Sequence, residues 1–353
     1  MVETRSFGTT PSGAETTLYI LRRDGLSVRV SDLGATIVGI EAPGTSGELA
    51  DIVLGYDDAS GYSPNMPYFF GTTVGPSANR VERGEVPIDD IVYHLPQNEN
   101  GNNLHTAHAH GLHALVWDAA VDDASCAVAF RCVVEDGAYG LPGRRAFMVR
   151  YALEESRLVV DYEATTDAPT FFNLTNHAYF NMAGQGAGSI RDQRLQLAAS
   201  SFLPIDAASI PTGEVRSVAG TPFDFRAGKA IGRDLDLDDE QLHLAHGYDH
   251  CFCIDGYPGD TGDPIPRLAA RALDPASGRG MELWTSLPGL QLYTGNFLDE
   301  EHGKAGSSYR VHEGFALEPQ FYPATPSHPS FPQAVYSPAH PYRARNEYRF
   351  FTA

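Results

Sequence analysis

Short stretches of alternating apolar and polar residues recur along the whole chain, each closed by Gly, Pro, Asn or Asp. Thr17–Leu21 and Leu26–Val30 flank Arg22-Arg23-Asp24-Gly25 and predict a β-hairpin closed at Asp-Gly. Ala35–Ile40, Ala127–Val134, Phe147–Leu153, Leu158–Ala164, Met281–Trp284, Leu290–Thr294 and Tyr348–Thr352 repeat the pattern. Helical periodicity does not intervene, so the pattern predicts an all-β sandwich or barrel rather than βαβ units. The clearest helix is short, Asp238–His246, with Asp239 and Glu240 favouring its N-terminus. Linkers, low-complexity tracts and fixed-period repeats are missing, so residues 1–353 read as a single domain.

One stretch stands out. Phe171-Phe172-Asn173-Leu174-Thr175-Asn176-His177-Ala178-Tyr179-Phe180-Asn181 follows Pro169 and reads as a strand entered from a turn. Alternation would put Asn173, Thr175, His177, Tyr179 and Asn181 on one face, and Phe172, Leu174, Ala178 and Phe180 on the other. The first face suits a polyhydroxylated ligand better than a core. Taken alone, a strand His is more often structural than catalytic.

Composition narrows the classes. The 35 Gly and 24 Pro fit a loop-rich protein and disfavour long helices. The net charge of −20 argues against nucleic acid and anionic membrane surfaces as partners, since both need clustered positive charge. The first residues lack the apolar run of a secretory signal, and no apolar stretch is long enough to span a membrane. A cytoplasmic protein is expected, with Cys126, Cys132, Cys251 and Cys253 as free buried thiols. Nothing in the sequence decides between a monomer and a homodimer.

Several segments could carry chemistry. Gly71–Val81 is punctuated by Gly and contains Asn79-Arg80, an amide beside a rigid fork of donors. His105, His108, His110 and His113 cluster, as do His243, His246 and His250 near Cys251 and Cys253. Neither cluster has HExxH or paired CxxC spacing, so no metal is expected and most of these histidines read as surface loop residues. Ile210–Glu214 and Gly220–Arg226 read as structural loops. Asp249 opens one strand, Gln291 lies in another, and Glu318 is embedded in the apolar run Phe315–Gln320. A carboxylate there is paired or functional, because burying an unpaired charge is costly and raises its pKa. With His177, it makes acid–base catalysis physically possible. No nucleophile elbow, P-loop or dinucleotide fingerprint competes.

Taken in order, these segments resemble the aldose 1-epimerase (galactose mutarotase) family over nearly the whole chain. The matching blocks are Ala78-Asn79-Arg80, Asn103-Leu104-His105, Asn173–Asn181, Gly220–Arg226, Gly247–His250, Pro288–Asn296 and Ala316-Leu317-Glu318-Pro319-Gln320. The resemblance implies a large antiparallel β-sandwich with an open groove, no cofactor, and interconversion of the α and β anomers of free hexoses such as galactose and glucose. It also implies His177 as general acid and Glu318 as general base, with Asn79, Arg80, His105, Asp249 and Gln291 gripping the sugar. The chain departs from the family at Thr106-Ala107, where glycines are usual, and at Pro323–Pro329, where Pro-Asp-x-x-Asn-His-Pro is usual. Two alternatives remain on that fold. A hexose-6-phosphate mutarotase would need an extra basic residue beside the groove, and a non-catalytic sugar-binding module would tolerate loss of His177 or Glu318.

Overall fold

The computed structural model describes residues 1–62 and 68–353. Each alternating run forms a strand, because β-branched and aromatic residues suit a pleated surface with one face buried. Glu15–Arg23 and Leu26–Ser31 pair across Asp24-Gly25, both at positive φ (49° and 81°), as a hairpin of that type requires. The hairpin lies within a five-stranded antiparallel sheet covering Val2–Thr9 to Leu49–Asp51.

A nine-stranded antiparallel sheet forms the second layer. Its centre is Arg145–Glu154, Arg157–Thr166, the C-terminal Tyr342–Thr352 and Arg279–Thr285. Alternate side chains of these strands, Phe147, Val149, Tyr151, Leu158, Val160, Tyr162 and Leu283, enter one continuous hydrophobic core. Leu21, Val28 and Ile40 reach the same core from the five-stranded sheet, and Phe252, Leu290, Leu292 and Leu317 reach it from a six-stranded one. The protein is therefore an antiparallel β-sandwich. The one α-helix among the described residues, Glu240–Ala245, is shorter than expected at both ends; Asp239 caps it, accepting from the Gln241 and Leu242 N–H groups.

The six-stranded sheet positions the chemistry. Its order runs Tyr179–Phe180, Phe315–Gln320, Gly289–Tyr293, Asp249–Ile254, Ala199–Phe202 and Arg216–Ser217. Because Leu317 and Leu292 point into the core, their neighbours Glu318 and Gln291 point to the opposite face. There they stand directly across from one another in register.

The expected strand Phe171–Asn181 is not continuous. It forms three two-residue pieces, Thr170–Phe171, Thr175–Asn176 and Tyr179–Phe180, each pairing with a different segment. The breaks redirect the polar row. Asn173 and Asn176 spend their amides on the carbonyls of Ala78, Phe321 and Gly71, and Asn181 on those of Gly188 and Glu313. Of the five residues expected to share a ligand-binding face, only His177 and Tyr179 line a cleft. The asparagines instead satisfy backbone groups where the pairing is interrupted.

All four cysteines are free, although Cys132 is only partly buried. Among the described residues no helix is long and apolar enough to cross a membrane.

Candidate active site

A cleft of about 330 Å³ opens on the polar face of the six-stranded sheet, within the roughly 300–1,000 Å³ usual for small-molecule sites. Asn79, Arg80, His105, His177, Asp249 and Glu318 line it, with aromatic walls from Phe69, Tyr179 and Tyr293. Six of the seven sequence-predicted residues thus meet in one place. The seventh, Gln291, lies beneath them: its side chain is buried and its Nε2 donates to Asp249 Oδ1 at 2.7 Å. A larger hollow of about 660 Å³, lined by Arg23, Glu154, Arg157 and Arg349, lies elsewhere. Arg157 and Arg349 are already paired there, to Glu154 and Glu347, and no buried titratable pair faces the hollow.

His177 is held by main chain on both sides. Its N–H donates to Thr72 O at 3.0 Å, and its C=O accepts from Gly71 N–H at 2.9 Å. The ring stacks against Tyr179 (centroids 5.0 Å) and Phe69 (6.1 Å) and meets His105 edge-on at 5.3 Å. Its Nε2 lies 3.6 Å from Glu318 Oε1, too long for a hydrogen bond but close enough for both groups to touch one ligand atom. His177 Nδ1 and Glu318 Oε2 are buried and have no protein partner.

Electrostatics separates these groups by their surroundings. Burial lowers His177 to about 4. Burial also raises Glu318 well above the usual carboxylate range, the Asp249 charge adding to the effect and Arg80 opposing it. His105 is depressed by burial and then by its neighbours His177 and Arg80. Burial works against the Arg80 charge, but Asp249 and Glu99 outweigh it and hold the guanidinium above its ordinary value. Asp249 is raised by burial, partly offset by Arg80 and by the Gln291 hydrogen bond.

Asn79 and His105 fix each other. The Asn79 N–H donates to His105 Nδ1 at 3.1 Å, and the His105 N–H to Asn79 O at 3.1 Å. This leaves Nε2 as the free ring nitrogen of His105. One donor atom each from His105, His177 and Glu318 lie within 4.8 Å of one another, close enough to take a divalent cation. Such an ion would occupy the lone pairs through which an imidazole and a carboxylate exchange protons.

Of the seven clustered histidines, His108, His110, His243 and His246 are exposed or partly exposed, as expected for most of them, whereas His113 and His250 are buried, as is the site residue His105. His250 accepts from the Asp249 N–H through Nδ1 and faces Gln241 Oε1 at 3.3 Å through Nε2; burial holds it at about 3 and neutral. It braces Asp249 against the helix.

These geometries fit comparisons with known proteins. The profile of the aldose 1-epimerase family matches residues 17–349. The chain belongs to the aldose 1-epimerase family. It is 39% identical over 349 residues to a galactose mutarotase of Bos taurus, covering 98% of each chain. It is 33% identical over 344 residues to an aldose 1-epimerase of Escherichia coli K12, covering 96% of each. Among solved structures, galactose 1-epimerase from Lactobacillus acidophilus superposes with a TM-score of 0.84 at 28% identity, covering 100% of this chain and 99% of that one. An aldose epimerase homologue from C. elegans superposes with a TM-score of 0.83, also at 28% identity, covering 100% of both chains.

The two departures from the aldose 1-epimerase pattern have physical accounts. His105 and Thr106 both adopt positive φ (52° and 70°), where glycine would be unstrained. Thr106 offsets that strain with its hydroxyl, which accepts from Ser77 N–H (3.0 Å) and donates to Ser77 O (3.2 Å). It thereby clasps the segment that presents Asn79 and Arg80. The altered Pro323–Pro329 loop supports the same segment through its backbone, the Ala324 N–H donating to Arg80 O at 2.7 Å.

Two residues that sequence reasoning passed over belong to the site. Glu99 forks onto Arg80 from a turn, and Phe69, at φ 55°, packs its ring against His105, His113 and His177. Neither carries a local signal, since an acid in a polar turn and a Phe in an aromatic run have many ordinary uses.

Thr106→Val keeps the side-chain shape and removes both hydrogen bonds to Ser77. It is expected to cost about 1–3 kcal/mol in chemical denaturation, the penalty for an unpaired buried N–H; wild-type stability would refute the clasp. On the reading that His105, His177 and Glu318 hold no metal, prolonged dialysis against a chelator is expected to leave sugar turnover unchanged. A loss restored by zinc would assign those three side chains to a metal.

Proposed function

We propose that the cleft interconverts the α and β anomers of free hexoses, with Glu318 and His177 as the proton-transferring pair. The observation that carries the reading is an imidazole 3.6 Å from a carboxyl, both buried, in a sugar-sized cleft lined by hydrogen-bonding groups.

The chemistry follows from the proton count. The reaction needs one proton shared by the pair, and burial, which lowers His177 to about 4 and raises Glu318, favours placing it on Glu318 at rest. Moving that proton from Glu318 to His177 gives an ion pair of the same total charge, a form favoured by Arg80 beside the carboxyl. In it, Glu318 takes the proton of the C1 hydroxyl while His177 delivers one to the ring oxygen O5. The C1–O5 bond breaks and C1 becomes an aldehyde. Rotation about C1–C2 presents the other carbonyl face, and the same two groups close the ring with their roles reversed. Each transfer contributes about 10²–10⁴-fold, enough for a reaction that already proceeds in water.

Asn79, Arg80, His105 and Asp249 hold hydroxyls so that the open chain stays bound while it turns. Gln291 acts through Asp249, whose carboxylate it orients. A sugar phosphate is disfavoured: Arg80 is the one Lys or Arg among the described lining residues, and it is already paired with two carboxylates.

Polarimetry on freshly dissolved α-D-glucose or α-D-galactose tests the reading. Faster decay of optical rotation than in buffer supports it, and binding without acceleration would make the protein a sugar-binding module. His177→Ala and Glu318→Ala are each expected to lower turnover by about 10²-fold or more, and a near-wild-type rate removes that residue from the mechanism. The pH profile of kcat/KM is expected to be bell-shaped, because activity needs one proton on the pair. As pH falls through about 4, His177 takes a second proton and the rate drops. As pH rises past the elevated Glu318 value, the pair loses its only proton and the rate drops again. A profile without either limb, after subtraction of the buffer reaction, would contradict the one-proton assignment.

A further inference from the structure

The described lining of the cleft holds Glu99 and Asp249 against a single guanidinium, Arg80, while Glu318 shares one proton with His177 in the proposed mechanism and the pair adds no net charge. Glu99 binds that guanidinium along one edge with two bonds: Arg80 Nε donates to Oε2 at 2.6 Å and Nη2 to Oε1 at 2.9 Å. The remaining Nη1 faces Asp249 Oδ2 at 3.8 Å. His105 and His177, the two buried imidazoles of the site, are held neutral by burial and add no balancing charge.

The Glu99 fork is built rather than incidental. The turn that carries it closes on itself: Asn98 and Glu99 N–H groups donate to Asn102 O at 3.0 and 3.1 Å, and Asn102 N–H returns to Glu99 O at 2.7 Å. The Asn98 side chain locks the turn further by exchanging hydrogen bonds with Leu104 N–H and C=O, at 2.7 and 2.8 Å. Leu104 pairs directly with Arg80 in the adjoining two-stranded ribbon. The Glu99 carboxylate is therefore delivered to the guanidinium by rigid backbone, and a planar fork met by two oxygens is the strongest form of such a pair.

We propose that Glu99 sets the charge selectivity of the cleft: by occupying Arg80 from behind, it leaves the pocket net negative and restricts turnover to uncharged aldoses. The proposal rests on the mutarotase reading above and adds to it a residue outside the proton-transfer step. An anionic group anywhere on the sugar meets an excess of negative charge within a few ångströms, and its attraction to Arg80 is already offset. Removing one charge at such range changes affinity for an anion on the order of tenfold, while an uncharged sugar feels only the altered positioning of Arg80.

The test compares D-glucose with D-glucuronate, which differ at C6 by a hydroxymethyl group against a carboxylate. Exchange NMR at anomeric equilibrium gives both rates without a pure anomer, for the wild type, Glu99→Gln and Glu99→Asp. Glu99→Gln is expected to raise the glucuronate-to-glucose ratio of kcat/KM about tenfold or more, mostly through KM. Glu99→Asp, which keeps the charge, is expected to retain the wild-type ratio even if both rates fall. A ratio within twofold of wild type in Glu99→Gln, or an equal loss on both sugars, would overturn the proposal and leave Glu99 a structural prop. Calorimetric titration of both sugars into the wild type and Glu99→Gln reads the same ratio as affinities. If the wild type fails to accelerate glucose exchange, the mutarotase reading fails, and these affinities still decide the role of Glu99. Glu99 lies on a loop with about a quarter of its side chain exposed, and thermal melting of each variant checks that the fold is intact.

Discussion

Removing Glu318 from water is the step on which the site depends. The sheet that carries it buries Leu317 on one side, and the alternation of the strand then commits the next side chain to the cleft. Among the described residues no Lys or Arg forms an ion pair with a carboxyl so placed. Arg80 stands nearby but is paired elsewhere, and the nearest titratable partner is a histidine that burial keeps neutral. The same loss of hydration pushes a carboxyl up and an imidazole down, which reverses the ordinary order of their proton affinities. In the proposed mechanism the pair holds one proton that passes both ways, and burial sets the balance between the two groups.

The rest of the cleft is organised to protect that balance. Aromatic rings wall in His177, and the Asn79–His105 pair holds a second imidazole in a fixed tautomeric relation to the backbone. Arg80, caught between Glu99 and Asp249, supplies directional donors with little net positive field. A free cation there would pull the proton affinity of Glu318 down and weaken it as a base. Specificity for hydroxyls and preservation of the carboxyl's basicity thus draw on one arrangement of charges.

Much of this could be read from the chain. Alternation located the strands, Asp24-Gly25 the hairpin, and Glu318 within an apolar run announced a buried carboxyl. What escaped depended on tertiary pairing. Nothing local reveals that Phe171–Asn181 breaks into three pieces, because each break is stabilised by amide contacts to segments near residues 71–78, 188 and 313–321. Gln291 sits on the correct face yet one layer down, since Asp249 reaches over it. His113 and His250 sit in turn-rich sequence but are enclosed by packing that the sequence does not display. Glu99 is the plainest omission: an acidic residue in a polar turn becomes meaningful only when the ribbon brings Arg80 beneath it.

The interrupted stretch around His177 also bears on when the protein becomes competent. The His177 backbone is anchored by main chain from Gly71 and Thr72, its neighbour Tyr179 pairs with Ala316, and its proposed proton partner arrives with Glu318. The arrangement runs from residue 71 to residue 318, so no short fragment contains it. The reactive centre is thus a property of closure rather than of any local motif, coming into being only when early, middle and late portions of the chain are joined. A nascent or partly opened chain has its carboxyl hydrated and its imidazole ordinary, and offers a sugar no paired acid and base.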